Sequence, residues 1–139
     1  MGYDPKRALL IGVVLPKTQD LNHEESLEEL EELAFNLGYQ VQETLLVKVR
    51  KPQARFLTGP GKANEIINLA KSLKCGSILF DEPLMPSQQR NWEATSELNV
   101  IDRQEVILDI FADRAQTREA VLQVELARLQ YELPRMKRL

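Results

Sequence analysis

Between Thr117 and Met136 the chain writes two apolar stripes onto one helix, and few folds can accept such an element. At about 100° per residue, Leu122, Leu126, Leu129, Leu133 and Met136 share one face at 4-3-4-3 spacing. That is an a/d seam. Val121, Val124, Ala127 and Tyr131 fall on roughly the opposite face. Glu125, Arg128, Glu132 and Arg135 fill one flank, and Gln123 and Gln130 the other. A surface helix needs one stripe to cover a domain. The second stripe leaves two readings: a helix in the middle of a small core, or the first arm of a helical hairpin. The hairpin is the reading adopted, with Leu139 as a segment boundary. Pro134 either kinks the helix or stops it.

Upstream, the pattern is that of an α/β domain. Ala8–Leu15 is a continuous apolar run, the mark of a strand buried on both faces. Asn22 or Ser26 can cap a helix ending at Gly38, with Leu27, Leu30, Leu33, Ala34 and Leu37 inward. Val41–Val49 reads as a strand, broken at Lys51-Pro52. Phe56–Thr58 is a short strand or extended entry to a helix bearing Ile66, Ile67, Leu69, Ala70 and Leu73. Ser77–Phe80 is a buried strand, about Pro86–Leu98 a helix with Trp92, and Val100-Ile101 a last short strand. A helix from about Gln104 to Arg114 precedes the long one. This alternation predicts a small, open, mostly parallel four-stranded sheet with helices on both faces, in order 2-1-3-4. Residues 1–114 form the α/β domain and 115–139 the helical arm.

Bulk properties narrow the function. A net charge of −3 argues against a generic polyanion binder, but the charge is uneven. Residues 20–32 hold seven acids and no Lys or Arg, as a solvated helix face would. Residues 114–139 hold six bases (Arg114, Arg118, Arg128, Arg135, Lys137, Arg138) against three acids. These bases are either phosphate contacts or a solvated flank. Cys75 is the only cysteine and reads as a small core residue, which leaves neither a disulfide nor a zinc site. No apolar run reaches membrane-spanning length and no signal-peptide pattern opens the chain, so the cytoplasm is the default.

Gly59-Pro60-Gly61-Lys62 before a helix invites a phosphate-loop reading, but Walker A would require Gly at 56 and Ser or Thr at 63. The chain has Phe56 and Ala63. A weaker anion or RNA-phosphate contact through Gly59, Gly61 and Lys62 stays open beside a plain tight entry turn. Asp81, Glu82 and Asp102 end predicted strands, where open α/β sheets bind ligands. Asp81 and Asp102 join Gly59, Gly61 and Lys62 as nucleotide-site candidates, against helix capping as the simpler role of Asp102. Ser87–Asn91 is unusually polar for a helix start, either a contact surface or a solvated first turn. His23 has no partner for triad chemistry.

Five motifs in order resemble the HflX family of ribosome-associated GTPases over roughly residues 7–135. They are Gly59–Lys62 with Glu65-Ile66; Phe80–Glu82 with Leu84 and Pro86–Asn91; Val100–Arg103 with Ile107–Ala112; Arg114-Ala115 with Thr117–Glu119; and Leu122–Ala127 with Leu129–Tyr131 and Leu133–Arg135. Met85 departs from the family's frequent Ser, so the helix it precedes loses a cap. The resemblance implies an N-terminal domain plus the first hairpin arm, followed in the parent by a GTPase domain holding GTP and Mg²⁺. No cofactor is expected in this segment itself, and GTP catalysis is not expected from it alone. The implied partners are the large ribosomal subunit and its RNA, and the parent's own GTPase domain. Phosphate contacts would fall on Lys62, Arg114, Arg118, Arg128, Arg135, Lys137 and Arg138. ATP binding with weak hydrolysis, and a homodimer through the leucine seam, are the alternatives; no membrane partner is expected.

Overall fold

A computed structural model describes residues 2–136. Four strands, β1 (Asp4–Val14), β2 (Gln40–Lys48), β3 (Cys75–Phe80) and β4 (Asn99–Asp102), form one sheet in the order β2-β1-β3-β4. Every pairing is parallel, as the alternation predicts. The two interior strands are the ones with unbroken apolar runs. Ala8 to Val14 of β1 and all of β3 are buried.

The order moves one way from β1 to β2 and then back across to β3 and β4. Right-handed crossovers therefore place the first helix on one face and the next two on the other. Helix α1 (His23–Asn36) packs Leu27, Leu30 and Ala34 on Leu10, Leu79 and Ile101. Helix α4 (Arg103–Arg114) adds Val106 and Ile110 to the same cluster. Helices α2 (Pro60–Ser72) and α3 (Pro86–Ser96) lie on the opposite face. There Ala63, Ile66, Ile67, Ala70 and Trp92 meet Leu9, Ile11, Val13, Ile78, Phe80 and Val100. Trp92 is fully buried, edge-on to Phe56 and Phe80 with centroids 5.4 and 4.9 Å away.

Local chemistry explains the boundaries. Asn22 caps α1, its side chain accepting from the Glu25 N–H at 3.1 Å. The helix ends where Gly38 takes φ +93, a left-handed conformation that glycine adopts without strain. Gly12 serves close packing: a Cβ there would lie 2.7 Å from Leu27 Cδ1 and 3.0 Å from Leu46 Cδ1. Met85 supplies no side-chain cap to α3. Gln88 Oε1 instead accepts from the Met85 N–H at 2.9 Å, and Pro86 fixes the first turn. Cys75 opens β3 as a buried residue, and burial pushes its thiol pKa up.

Helix α5 (Arg118–Glu132) is capped by Thr117, which accepts from the Ala120 N–H at 3.0 Å. It ends before Pro134 and passes into a 3-10 turn over Leu133–Arg135. Its two stripes have separate fates. Tyr131 is buried and Val124 and Ala127 are partly covered, while Val121 remains 40% exposed. On the seam, Leu122, Leu126, Leu129, Leu133 and Met136 are 55–63% exposed. The helix is thus not the middle of a small core: one face seats on the domain and the leucine seam stands in solvent.

Candidate nucleic-acid interface

The sheet's carboxyl edge is where ligands of open α/β folds bind, at the crevice where the strand order reverses. Here that crevice lies between β1 and β3, and protein fills it. Asp81 follows β3, its N–H donating to Ile11 O at 2.9 Å. The Arg103 guanidinium, from the first turn of α4, pairs with the Asp81 carboxylate, with Nε–Oδ1 at 2.8 Å. Arg103 also donates to Ser26 O of α1 at 2.9 Å, and Ser26 Oγ reaches Asp81 at 3.3 Å. One guanidinium thus ties α1, α4 and β3 together. Glu82 beside it is half-buried, and desolvation is the main cause of its raised pKa.

Asp102 is fully buried and similarly committed. It caps α4 by accepting from the Glu105 N–H at 3.3 Å, as expected, and also accepts from Leu84 N–H and Tyr131 O–H, each at 3.0 Å. Arg135 stands 3.9 Å away as its counter-ion. Burial and the Asp102 charge raise the Tyr131 pKa, so the phenol stays protonated and donates. None of the hydrogen bonds or ion pairs of Asp81 and Asp102 involves the Gly59–Lys62 turn.

The polar start of α3 is only partly solvated: Ser87 is exposed, and Arg90 and Asn91 are partly covered. Gln88 and Gln89 are buried. Gln88 donates to Gln53 O at 3.0 Å, Asn91 to Arg55 O at 2.9 Å and Trp92 Nε1 to Phe56 O at 2.9 Å. These bonds fasten the segment after β2. Gln89 donates to Val100 O at 2.6 Å and accepts from Arg135 Nε at 2.6 Å, while Arg90 donates to Pro134 O at 2.8 Å. These fasten the end of α5. Buried amides are placed here because each satisfies a backbone group that packing would otherwise orphan.

The fastened segment and its flanks carry a run of charge of which the sequence reading singled out only Lys62. Residues 48–62 contain Lys48, Arg50, Lys51, Arg55 and Lys62 and no acid. All five are exposed. The signal was available in composition alone, but it is diluted by an acidic chain. The segment is tied to itself in spite of its length: Gln53 and Leu57 exchange two backbone hydrogen bonds of 3.0 Å. Leu57, buried, takes φ 71, a conformation costing roughly 1 kcal/mol in a residue of its bulk. The strip leads into α2, whose N-cap is Gly59. No side chain caps this helix, and its first turn holds no acid. Neither Gly59 nor Gly61 has positive φ, and a Cβ on Gly61 would meet nothing within 4 Å, so a tight turn does not explain the glycines. Lys62 Nζ pairs with Glu65 at 2.8 Å.

The C-terminal bases divide. Arg135 is committed internally: besides Gln89 it donates to Tyr131 O at 2.8 Å and Leu84 O at 3.1 Å, and it stacks 3.6 Å from the Tyr131 ring. Arg128 pairs with Asp109 at 3.0 Å. Arg114 and Arg118 are exposed at the α4–α5 joint. Lys137 and Arg138 lie outside the described residues. Among the described residues no group of three or more potential ligands could hold a metal ion, and no helix is long and apolar enough to cross a membrane.

Comparison with known proteins gives a consistent picture. Residues 24–112 match the family described as GTP-binding GTPase N-terminal, and residues 114–139 the GTP-binding GTPase Middle Region. The two matches meet at the α4–α5 joint. The chain is 50% identical over 134 residues to GTPase HflX of Akkermansia muciniphila, covering 96% of this chain and 31% of that protein. It is 38% identical over 133 residues to GTPase HflX of Escherichia coli K12, covering 96% and 30%. The chain thus spans about a third of the length of these relatives. Among solved structures, the complex of SsGBP with GDP matches with a TM-score of 0.68 at 28% identity, covering 94% of this chain and 36% of that one. A GDP complex of a GTP-binding protein from Sulfolobus solfataricus gives 0.63 at 28% identity, covering 93% and 37%.

Proposed function

This chain belongs to the HflX family of GTP-binding GTPases, and we propose that it is the ribosome- and RNA-contacting part of such a protein. In this reading the full-length protein binds the large ribosomal subunit and acts on stalled ribosomes. GTP and Mg²⁺ are held by a GTPase domain, since the 139 residues here contain no Walker A pattern. The observation that carries the RNA reading is the cationic strip Lys48, Arg50, Lys51, Arg55 and Lys62 beside the uncapped start of α2. Exposed cations on a backbone-tied segment next to open helix amides suit a phosphate backbone, which is recognised by charge and position rather than by sequence. Arg114 and Arg118 offer a second exposed pair of cations at the α4–α5 joint, and the leucine seam of α5 is the face on which the second hairpin arm would lie.

The test is salt-dependent binding of the 139-residue chain to a fluorescent RNA hairpin. Replacing Lys48, Arg50, Lys51 and Arg55 by Ala should reduce the log K–log salt slope by about 3, because each lost phosphate contact removes roughly 0.7–0.9 from it. Large-subunit pelleting by the full-length protein should weaken with the same replacements, and with Arg114, Arg118 and Arg128 changed to Ala. If neither set lowers subunit binding, the reading fails. A second reading, ATP at Gly59–Lys62, draws on the same uncapped amides and on the steric freedom of Gly61. Heat in a calorimetric titration with millimolar Mg-ATP, lost in Lys62→Ala, is what it requires.

A further inference from the structure

The face of the sheet that carries α1 is incomplete over its outer strand. Helix α1 seats on the sheet through Leu27 and Leu30, and α4 covers the side toward β4. The outer flank of β2 is left with Thr44 and Leu46 exposed. Between that flank and α1 runs an open groove of about 720 Å³, lined by Leu21, Leu27 and Leu46 with Glu24, Glu28 and Glu31 along one wall. Glu24, Glu28, Glu31 and Phe35 follow one another at 4-3-4 spacing, so they form a single row along α1. Upstream of α5, six large apolar side chains are notably exposed among the described residues. Three of them, Leu21 at 64%, Leu46 at 57% and Phe35 at 70%, belong to this strip.

Charge decides what can lie there. Residues 18–47 contain eight acids and no Lys or Arg. A nucleic acid or an anionic membrane is repelled by such a face. A partner must bring an apolar stripe for Leu21, Leu46 and Phe35 and cations for the glutamate wall. The row from Glu24 to Phe35 is about 16 Å long at 1.5 Å per residue, three turns of a facing helix. A helix laid there would complete the layer that α1 and α4 begin, at the usual spacing of helix on sheet.

We propose that the α1–β2 groove is a docking site for a basic amphipathic helix of a partner protein, seated by its apolar face on Leu46 and Leu21 and by Lys or Arg on Glu24, Glu28 and Glu31. The proposal is independent of the RNA reading, which rests on other residues.

The probe is a 14-residue helical peptide with Leu at i, i+3, i+4, i+7 and i+11 and Lys or Arg elsewhere, titrated into the ¹⁵N-labelled 139-residue chain. Saturable shifts are expected at Leu21–Glu31, Thr44 and Leu46. Leu46→Ser, and separately the triple change Glu24→Gln, Glu28→Gln and Glu31→Gln, should each weaken binding at least tenfold. All four positions are solvent-exposed, and the amide spectra of the variants establish that they fold. A scrambled peptide of the same composition should bind at least tenfold more weakly than the amphipathic one. The proposal is overturned by absence of saturable shifts in the groove, by shifts confined to the α5 seam, by equal binding of the scrambled peptide, or by unchanged affinity in either variant. Concentration-dependent shifts at these residues without peptide, with a dimer in sedimentation, would assign the groove to a second copy and also overturn it.

Discussion

Replacing Glu105 by Gln should stabilise the protein, and by an amount that depends on pH in a defined direction. Glu105 lies in the first turn of α4, half-buried, and its pKa is pushed up to about 7 from an ordinary value near 4.5. Burial is the largest cause, followed by the charges of Asp109, Asp102, Glu93 and Glu132. The native state therefore holds this proton more tightly than the unfolded chain does. Between pH 4.5 and 7 the folded protein binds more protons, so stability falls as pH rises through that window and is flat above it. A shift of about 2.5 units is a ceiling of roughly 3 kcal/mol at 1.36 kcal/mol per unit, and residual solvent access reduces it to about 1–2 kcal/mol. Gln keeps the shape and removes the titration. Urea unfolding followed by Trp92 fluorescence, at pH steps from 4.5 to 8.5, gives the difference between variant and wild type. That difference should start near zero, grow to about 1–2 kcal/mol by pH 7 and then stay level. A pH-independent difference, or a variant that loses stability at pH 8, would refute the reasoning.

Tyr131→Phe removes the O–H donor of a fully buried carboxylate and should cost about 1–3 kcal/mol of unfolding free energy; a loss below about 0.5 kcal/mol would mean that α5 is not held through Asp102. Changing Leu122, Leu126, Leu129 and Leu133 together to Gln should leave the urea midpoint nearly unchanged, because the seam touches little of the domain. The same variant should reduce any self-association seen by sedimentation. In thermal unfolding, Gly12→Ala should cost about 1–3 kcal/mol, since the new methyl must displace Leu27 or Leu46 from a packed contact.

Periodicity made the helical arm legible. It set Tyr131 opposite the leucine seam and offered that seam to a further helix, because apolar spacing on a helix reports which residues share a side; the inward seat of Tyr131 needed the fold. The unbroken run of Ala8–Leu15 likewise marked an interior strand of a parallel sheet. Polar residues were less readable. A glutamine at 88 or 89 looks the same in sequence whether water or a buried carbonyl accepts from it, so the fastening role of α3 needed the fold. Arg135 looked like one more cation on a basic flank, yet it lies one turn beyond Tyr131 in the 3-10 continuation of the helix, and its donors turn inward to Tyr131, Gln89 and Leu84. Leu57 gave no warning of its left-handed backbone, since nothing about leucine favours it; the paired bonds with Gln53 impose it.

The seat of Tyr131 gives the arm a property that an apolar stripe alone would not. A hydrophobic face tolerates small sliding, because one methyl contact substitutes for another. A phenol on a buried carboxylate, next to an arginine stacked on that same ring, does not. Advancing the helix by one residue would move it about 1.5 Å along its axis and turn it by about 100°, carrying Tyr131 off Asp102 altogether. The arm therefore has one index position, like a key in a keyway, with no series of intermediate settings. Whatever is attached to its exposed seam inherits that fixed phase relative to the sheet.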